Sequence, residues 1–361
     1  MRVANSEKTW GSPEFSLNGI YGNEFTKDRE MRIGVIGAGF IGPINTRALM
    51  EVPGVEITAV ANRTAEKAKK MCTGLSLNCP VYSDYKEMTE KEELDAVVIN
   101  VFNDIHKDYF LYCAEKGLDI LIEKPLANTY EDCLIMEAAA EKYGIRASVL
   151  QTQRYGAVLT TAKKYIDENE GELGKLCGIS DCISCHYFWD GRNPWHLDNV
   201  RSGGGIVLNY GVHQLDRTHV FLKEKTADFH ARYLMEKPGI DTYSSYFMMG
   251  TGEKGTPYTI QCNGYCGPSV NEVILYFQNG TVIARLSGNE FSKRGVFATD
   301  KETGGIKEIP LCCEDGEGGH KMYVREMTAA VAFLKGDVNK APVPLSWGAE
   351  MVRLCGLGFT E

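Results

Sequence analysis

The chain has 361 residues, of which 43% are hydrophobic and 24% are charged, a composition typical of a globular protein long enough for two domains. Its formal net charge of −9 argues against nucleic acid or an anionic membrane surface as a partner. No apolar run reaches the ~20 residues of a membrane-spanning helix, so we expect no membrane association.

The 12 cysteines are not accompanied by a recognisable secretory signal, so we expect reduced thiols in a cytoplasmic protein. Cys182 and Cys185 have the spacing of a redox or zinc pair. They lie in a strand-like run, Gly178–Tyr187, in which residues three apart face opposite sides of a sheet. We therefore expect structural cysteines.

Residues 1–30 differ from the rest of the chain because they are polar and show no periodic pattern. Residues 11–15, Gly-Ser-Pro-Glu-Phe, resemble a cloning-site remnant. A second methionine, Met31, opens the first strand pattern. We interpret residues 1–30 as an extension, either a tag or a misannotated start.

From Met31 to about Val149, apolar strand-like runs alternate with helical patterns. Such alternation, with continuously apolar strands, predicts a doubly wound parallel sheet and a Rossmann domain over residues 31–150. The predicted strands are Arg32–Ile36, Val55–Ala61, Asp95–Asn100, Asp119–Ile122 and Ile145–Val149. The predicted helices are Ile41–Glu51, Ala65–Cys72, Lys107–Lys116 and Tyr130–Tyr143.

Three glycines follow the first predicted strand with the spacing G-x-G-x-x-G, namely Gly37, Gly39 and Gly42. In a strand–turn–helix unit the first permits a tight turn, the second lets the backbone approach a pyrophosphate, and the third lets helix and strand pack closely. The N–H groups at the helix start would bind the phosphates. The turn, with Phe40 and Ile41, therefore predicts a dinucleotide cofactor, NAD(P).

The residues after the second strand bear on the choice between NAD and NADP. An acidic residue about 20 positions after the glycines would bind the ribose 2′-hydroxyl of NAD. Asn62 stands there instead and is followed by Arg63, which could pair with a 2′-phosphate. This pattern favours NADP, while Asn62 keeps NAD open because an amide also hydrogen-bonds a ribose.

After Gln151 the pattern predicts an α+β domain over residues 151–361 with a large, mostly antiparallel sheet. The predicted strands are Cys177–Tyr187, Thr226–Met235, Tyr243–Met249, Tyr258–Cys262, Glu272–Phe277 and Thr281–Leu286. The predicted helices are Ala157–Asp167, Gly205–Leu222, Val324–Leu334 and Trp347–Leu357.

Four motifs occur in an informative order: the glycine turn, Asn103-Asp-Ile-His106, Glu123-Lys-Pro-Leu126, and a segment from Gly203 to Asp216 of the form G-G-G-x-x-x-x-x-G-x-H-x-x-D. With them the chain resembles the glucose–fructose oxidoreductase/inositol dehydrogenase (Gfo/Idh/MocA) family from Met31 to near the C-terminus. The resemblance implies a Rossmann domain followed by a substrate and oligomerisation domain, an NAD(P)-dependent oxidoreductase, and a homo-oligomer.

The resemblance assigns the catalytic roles to Lys124 and His213. Lys124 follows a strand at the carboxyl end of the sheet, where doubly wound folds bind ligands, and the family uses this lysine as a proton relay or orienting donor. The family histidine, here His213, is the general base. One helical turn earlier the family usually has an aspartate, but here stands Asn209.

The replacement of that aspartate by Asn209 leaves several interpretations open. Asparagine can orient His213 through a hydrogen bond but adds no charge that would raise its basicity. The change could mark a substrate class or move the base role toward Lys124. Asp216 could supply the missing charge, although a structural role fits it better.

Further site residues are expected by the same resemblance. Asn103, His106 and Glu123 would lie near the cofactor, and Arg154 and Tyr155 would approach cofactor and substrate. The segment from His186 to His196, with Trp189 and Trp195, combines aromatic rings with hydrogen-bonding groups, which suits a sugar. His186, His196 and His213 could form a metal site, but no supporting spacing is present, so we expect no metal.

The sequence therefore predicts oxidation of a secondary hydroxyl of a sugar, glycoside or cyclitol by hydride transfer to nicotinamide. A glycosidase that uses transient oxidation and elimination by bound NAD is an alternative within the same family. A non-catalytic nucleotide-sensing regulator is an alternative of another class. The sequence names neither the substrate nor the direction of the reaction.

Overall fold

The computed structural model describes residues 30–235, 239–265 and 268–359. The predicted extension over residues 1–30 therefore lies outside the described residues, except for residue 30. The described residues form two β-sheets with helices packed on them.

The first sheet has six parallel strands in the order β3-β2-β1-β4-β5-β6. All four residues of both β4 and β6 are buried, which explains why β4 is continuously apolar and why β6 has Ser148 as its only polar residue. The strands are β1 (Met31–Ile36), β2 (Val55–Ala61), β3 (Val81–Tyr82), β4 (Ala96–Ile99), β5 (Asp119–Glu123) and β6 (Ala147–Leu150).

Five helices connect these strands. They are α1 (Gly42–Leu49), α2 (Ala65–Leu75), α3 (Tyr85–Lys91), α4 (His106–Glu115) and α5 (Tyr130–Tyr143). The sequence did not predict β3 and α3. Strand β3 is two residues long, and α3 buries only Met88, so neither produces a periodic apolar pattern.

The second sheet has eight strands in the order β14-β13-β12-β11-β7-β10-β9-β8. All its pairings are antiparallel except β7 with β10, which run parallel at the centre. The strands are β7 (Leu176–Ser184), β8 (Thr226–Leu234), β9 (Ser245–Gly252), β10 (Pro257–Asn263), β11 (Val270–Phe277), β12 (Gly280–Arg285), β13 (Gly295–Thr299) and β14 (Ile306–Ile309). The predicted fold class is thus confirmed, although β13 and β14 at the sheet edge were not predicted.

Six further helices pack on or beside the two sheets. They are α6 (Ala157–Glu168), α7 (Glu170–Leu173), α8 (Asn199–Ser202), α9 (Ile206–Leu222), α10 (His320–Lys335) and α11 (Leu345–Gly356). None of the helices in the described ranges combines the length and the apolar composition that crossing a lipid bilayer requires.

Helix α9 is held by two buried ion pairs, one to the second sheet and one to the segment that follows the first sheet. Arg217 pairs with Asp181 of β7 at 2.5 Å, and Asp216 pairs with Arg154, which follows β6, also at 2.5 Å. All four side chains are at most 1% exposed. Because removing one partner of such a pair leaves an uncompensated buried charge, these contacts hold α9 in one position between the sheets.

Candidate active site

A cavity of about 1330 Å³ lies at the carboxyl ends of the first sheet's strands. Residues one or two positions after the end of each of the six strands line it, from Gly37 after β1 to Thr152 after β6. Its opposite wall comes from the start of α9 and from the loop between β7 and α8. This is the edge at which open parallel sheets bind ligands.

The glycine turn forms one end of the cavity. Gly37 has a φ of +101°, and a Cβ there would lie 2.5 Å from the backbone oxygen of Asn100. A Cβ on Gly42 would lie 2.2 Å from the Gly37 oxygen, so this glycine permits α1 to pack on β1 and does not line the cavity. A Cβ on Gly39 would meet nothing within 4 Å. The turn is thus open at Gly39, where a bound pyrophosphate must approach.

A network of buried polar side chains links α1, which follows the turn, to the ends of β4 and β5. The Asn45 amide donates at 2.8 Å to both Asn100 Oδ1 and Glu123 Oε1, and the Glu123 carboxylate accepts from the Lys124 backbone N–H at 3.2 Å. Burial raises the pKa of Glu123. Glu123 therefore borders the cavity but is engaged within the protein.

Asn62 connects the turn to the end of β2. Its Oδ1 accepts from the Ala38 backbone N–H at 2.9 Å, and its Nδ2 donates to the Thr64 oxygen at 2.8 Å. Arg63 and Lys67 line the same end of the cavity, and both are exposed. This end of the cavity thus carries two positively charged side chains, Arg63 and Lys67. They lie beside the Asn62 amide, whose oxygen and nitrogen are both hydrogen-bonded within the protein.

Phe40 and Ile41 also line the cavity, and Phe40 is 89% exposed. The Phe40 ring therefore lies open at the cavity mouth, beside the glycine turn. The open Gly39, the exposed Phe40 and the helix N-terminus behind them together fit the pyrophosphate of a dinucleotide.

Lys124 enters the cavity directly after β5, with a cis peptide bond to Pro125. Its Nζ donates to Asn209 Oδ1 at 3.0 Å and to the Asn209 backbone oxygen at 3.2 Å. Burial lowers the pKa of Lys124 to about 8; the Glu123 carboxylate opposes this shift and the Arg192 guanidinium adds to it. The lysine therefore exchanges its proton near physiological pH.

His213 lies one turn after Asn209 on α9 and also lines the cavity. Burial lowers its pKa well below the ordinary value, and the positive charges of Lys124 and Arg217 lower it further. Its Nδ1 is buried and has no hydrogen-bond partner among the described residues. His213 is therefore neutral at pH 7 and has an unused ring nitrogen.

The hydrogen bond expected from Asn209 to His213 is not formed. Asn209 accepts from Lys124, and its Nδ2 lies 3.5 Å from the hydroxyl oxygen of Tyr187. The reason is that Lys124, arriving from the first sheet, occupies the position beside Asn209. Any effect of the missing aspartate therefore falls on Lys124 first.

Asp216 and Arg154 form a structural pair and do not reach the cavity. The Asp216 carboxylate also accepts from the Trp347 indole N–H at 2.7 Å, a contact in keeping with the structural interpretation of Asp216. The expectation that Arg154 and Tyr155 approach the ligand is not met, because both are buried behind the cavity wall at 2% and 3% exposure.

His106 is likewise buried, at 1% exposure, and does not line the cavity. Its ring nitrogens lie 3.1 Å from the Val101 oxygen and 3.2 Å from the Leu126 oxygen, so it joins two chain segments beneath the site. Asn103 does line the cavity, and its amide donates to Asn128.

Only part of the segment from His186 to His196 lines the cavity. Trp189, Trp195 and His196 line the cavity, and Trp195 stacks on Phe102 with ring centroids 4.5 Å apart. His186 is exposed and does not line the cavity, contrary to expectation. Burial lowers the pKa of His196 to about 4, helped by the charges of Arg192 and Lys124.

Several cavity residues were not singled out from the sequence. They are Thr152, Gln153, Arg192, Asn193, Tyr210 and Tyr323. Arg192 and Asn193 lie inside the aromatic segment, so that segment's mixed composition was a usable signal. The others come from elements whose approach depends on the tertiary fold.

Within the ranges the structure describes, no group of three His, Cys, Asp or Glu side chains is placed to hold a metal ion. Cys182 and Cys185 are both free thiols.

Two family models match the chain. Residues 31–151 match the model described as "Oxidoreductase family, NAD-binding Rossmann fold", and residues 159–283 match the GFO/IDH/MocA C-terminal domain. The two matched regions are consecutive and include both Lys124 and His213.

Curated relatives align with about half of the chain. The 2,7-anhydro-N-acetylneuraminate hydratase of Mediterraneibacter gnavus is 28% identical over 185 residues, covering 50% of this chain and 46% of its own. The inositol 2-dehydrogenase/D-chiro-inositol 3-dehydrogenase of Halalkalibacterium halodurans is 32% identical over 201 residues, covering 54% and 53%. The chain thus matches about half the length of these relatives.

Among solved structures, levoglucosan dehydrogenase in complex with NADH and levoglucosan has a TM-score of 0.79 at 17% sequence identity. The match covers 90% of this chain and 95% of the other. At this identity the likeness shows that the two proteins share a fold.

Proposed function

The chain belongs to the Gfo/Idh/MocA oxidoreductase family, and from that premise we propose that it oxidises a secondary hydroxyl of a sugar, glycoside or cyclitol with NAD(P). The observation that carries the proposal is one cavity with the open glycine turn at one end and Lys124 and His213 at the other. Residues 31–150 would hold the cofactor, and residues 151–361 would supply most of the substrate wall.

The residues present fit the cofactor. Gly37, Gly39 and Ile41 would hold the pyrophosphate at the start of α1, where backbone N–H groups are free. When bound, the nicotinamide supplies the chemistry of the reaction by accepting a hydride from the carbon that bears the hydroxyl. The protein's share is to bind, orient and move one proton.

Lys124 is the better proton acceptor of the two catalytic candidates. A general base works best when its pKa lies near the working pH, and the pKa of Lys124 is about 8. Asn209 orients the Lys124 Nζ by two contacts at 3.0 and 3.2 Å. In its neutral form Lys124 would take the hydroxyl proton, and in its charged form it would return a proton in the reverse reaction.

His213 then has the role of an orienting group. Its pKa lies well below the ordinary value, so it is a weak base but a good neutral hydrogen-bond partner. Its unpartnered Nδ1 marks a polar atom that a ligand could satisfy. This reverses the roles that the family resemblance implies, in the direction that Asn209 suggested.

The relatives support a polyol substrate, since one is an inositol dehydrogenase and one solved structure binds levoglucosan. The aromatic lining of Trp189, Trp195 and Tyr210 suits the C–H faces of a sugar ring. For the cofactor we favour NADP, because Arg63 and Lys67 lie where an acidic residue would otherwise bind the 2′-hydroxyl.

We also propose that the protein is a homo-oligomer. On β9 the alternating side chains Phe247 and Met249 are 53% and 57% exposed, which places two large apolar groups on one face of the second sheet. Pairing of that face in a second copy would remove them from water.

The proposal is tested by measuring nucleotide binding by calorimetry and then NAD(P)H formation across a panel of sugars and cyclitols. Accumulation of NAD(P)H with one of them supports the proposal. Release of an aglycone from a glycoside without accumulation of NAD(P)H would instead support the glycosidase alternative. Nucleotide binding without any turnover would support the regulator.

A further inference from the structure

Arg192 lines the cavity, contacts aromatic rings and has a buried nitrogen atom without a hydrogen-bond partner among the described residues. It lies in the loop between β7 and α8, and its guanidinium carbon sits 3.6 Å from the ring centroid of Tyr187. The Trp189 ring lies on it less closely, at 5.9 Å. The Nε atom is buried and has no hydrogen-bond partner among the described residues. The guanidinium thus lies over the Tyr187 ring, and Arg192 lines the cavity with no hydrogen-bond partner at Nε.

No carboxylate among the described residues pairs with Arg192. The carboxylates that line the cavity are Asp84 and Glu123. Asp84 caps α3 by accepting from the Lys86 backbone N–H, and it lies at the Arg63 end of the cavity. Glu123 accepts from Asn45 and from the Lys124 backbone. Both are therefore engaged elsewhere.

The other groups around Arg192 are basic or neutral. Its charge acts on Lys124 and His196, lowering the pKa of each behind the larger effect of burial. Lys124 has the Glu123 carboxylate beside it, whereas Arg192, in the same partly enclosed cavity, has no such carboxylate among the described residues. Such a charge arrangement is unfavourable until a counter-charge arrives.

From this geometry we infer that the substrate carries a carboxylate group and that Arg192 binds it. The planar fork of a guanidinium matches the two oxygens of a carboxylate, and the 3.6 Å contact with the Tyr187 ring restricts where the fork can lie. The inference rests on the proposed function and narrows its substrate to an acidic sugar or an acidic cyclitol derivative.

A chain of contacts links this carboxylate site to the reacting group. Arg192 stacks on Tyr187, the Tyr187 hydroxyl lies 3.5 Å from Asn209 Nδ2, and Asn209 holds Lys124. Arg192 and Lys124 are therefore close enough in the fold to meet two groups of one small molecule. The glycine turn supplies its own donors for the cofactor pyrophosphate, so that anion does not require Arg192.

The test compares matched ligands on the protein saturated with NAD(P)H. D-glucuronate is compared with D-glucose and with the neutral methyl ester of glucuronate, and D-galacturonate with the corresponding galactose compounds. Calorimetry gives the dissociation constants for the wild-type protein and for Arg192→Gln, Arg192→Lys and Arg201→Gln. Arg201 is the matched control, because it is 53% exposed, pairs with Asp104 and does not line the cavity.

We expect at least one acid to bind about tenfold or more tightly than its neutral counterparts, as a charge-assisted contact would give. Arg192→Gln should abolish that preference, Arg192→Lys should retain part of it, and Arg201→Gln should leave it unchanged. The affinity for NAD(P)H, measured on the same samples, should be the same in all four proteins.

The inference is overturned if no acid binds better than its neutral counterparts, or if the preference survives in Arg192→Gln. It is also overturned if Arg192→Gln weakens NAD(P)H binding instead, which would make Arg192 a cofactor ligand. Oxidation of neutral sugars with no acid preference would remove the inference and leave the proposed function intact. Failure to bind any nucleotide would remove the proposed function itself.

Discussion

The two ends of the cavity are built in different ways. The pyrophosphate part of the cofactor end is formed by one continuous segment, from β1 through the glycine turn to α1, and would bind mostly through backbone N–H groups. The substrate end is formed by side chains from separate segments: Lys124 after β5, Arg192 in a loop, and His213 on α9. A ligand site made from backbone depends on local spacing, whereas one made from side chains depends on the whole fold.

The substrate end also depends on buried charged side chains, which hold its elements in place and lower the pKa of Lys124. Helix α9, which carries Asn209 and His213, is held by the buried pairs of Arg217 with Asp181 and Asp216 with Arg154. The lysine at this end loses part of its basicity to burial and to Arg192. Substitutions at the substrate end should therefore affect turnover, and substitutions at the cofactor end should affect nucleotide binding.

The largest difference between the effect on turnover and the effect on nucleotide binding is expected for substitution of Lys124. Lys124→Met should lower kcat by ~10²–10⁴-fold, as is typical for loss of a general base, and leave nucleotide affinity nearly unchanged. Because the neutral lysine is the active form in oxidation, the wild-type rate should rise with pH through about 8. That limb of the pH–rate profile should be missing in Lys124→Met.

A second variant distinguishes proton transfer from charge alone. Lys124→Arg keeps the positive charge but does not deprotonate in a protein, so it should be as impaired as Lys124→Met. Lys107→Met, which breaks a pair with Asp132 outside the cavity, should leave the profile as it is. Substantial turnover by Lys124→Arg would show that Lys124 acts only as a fixed charge.

The next largest effect concerns the cofactor end. Gly39→Val should weaken nucleotide binding by about 10–10²-fold, the loss of one or two hydrogen bonds to a charged group. The fold should be retained, since a Cβ at Gly39 meets nothing within 4 Å. Calorimetry with NAD(H) and NADP(H), together with thermal melting, measures both properties.

Gly42→Val is the matched comparison. A Cβ at Gly42 would lie 2.2 Å from the Gly37 oxygen, so this variant should lose thermal stability as well as binding. If Gly39→Val binds nucleotide as the parent does, the pyrophosphate does not lie at the turn. If Gly42→Val melts as the parent does, the close packing of α1 on β1 is not needed.

The same division explains what the sequence could predict. Five strands of the first sheet are mostly apolar, and the glycine spacing is local, so the sequence predicts both. The strand β14 escaped because it lies at the edge of the second sheet and three of its four residues are exposed. Arg154 and His106 were misplaced because their burial, at 2% and 1% exposure, is set by contacts with distant segments. Arg192 lies in a loop, and its contact with the Tyr187 ring depends on the tertiary fold.

A smaller and more specific effect is expected at Asn209. Asn209→Asp places a carboxylate on the Lys124 Nζ, which now lies 3.0 Å from the amide oxygen. An added negative charge favours the protonated lysine, so its pKa should rise by about one unit or more. The limb of the pH–rate profile on which oxidation rises with pH should then move to higher pH, which initial rates across pH would measure.

Asn209→Leu should move that limb the other way. It removes the side-chain acceptor that stabilises the charged lysine, while the Asn209 backbone oxygen, 3.2 Å from Nζ, is kept. Opposite shifts in the two variants would support Lys124 as the titrating group. A limb that stays fixed in both would assign the titration to another residue and leave Asn209 as a substrate contact.

The smallest effect is expected at the cofactor end, where the Arg63 side chain would add to the binding of NADP by the backbone. Arg63 is exposed, so its contact with a 2′-phosphate would be worth ~1 kcal/mol, about fivefold in affinity. Arg63→Asp should lower NADP affinity by at least that factor and leave NAD affinity equal or better, because the new charge repels only the phosphate. Lys70→Asp makes the same change of charge on α2, at an exposed position that does not line the cavity, and should leave the NADP-to-NAD ratio nearly as it is. A ratio that is unchanged in Arg63→Asp would mean that Arg63 does not contact the ribose end, and the preference for NADP would lose its support.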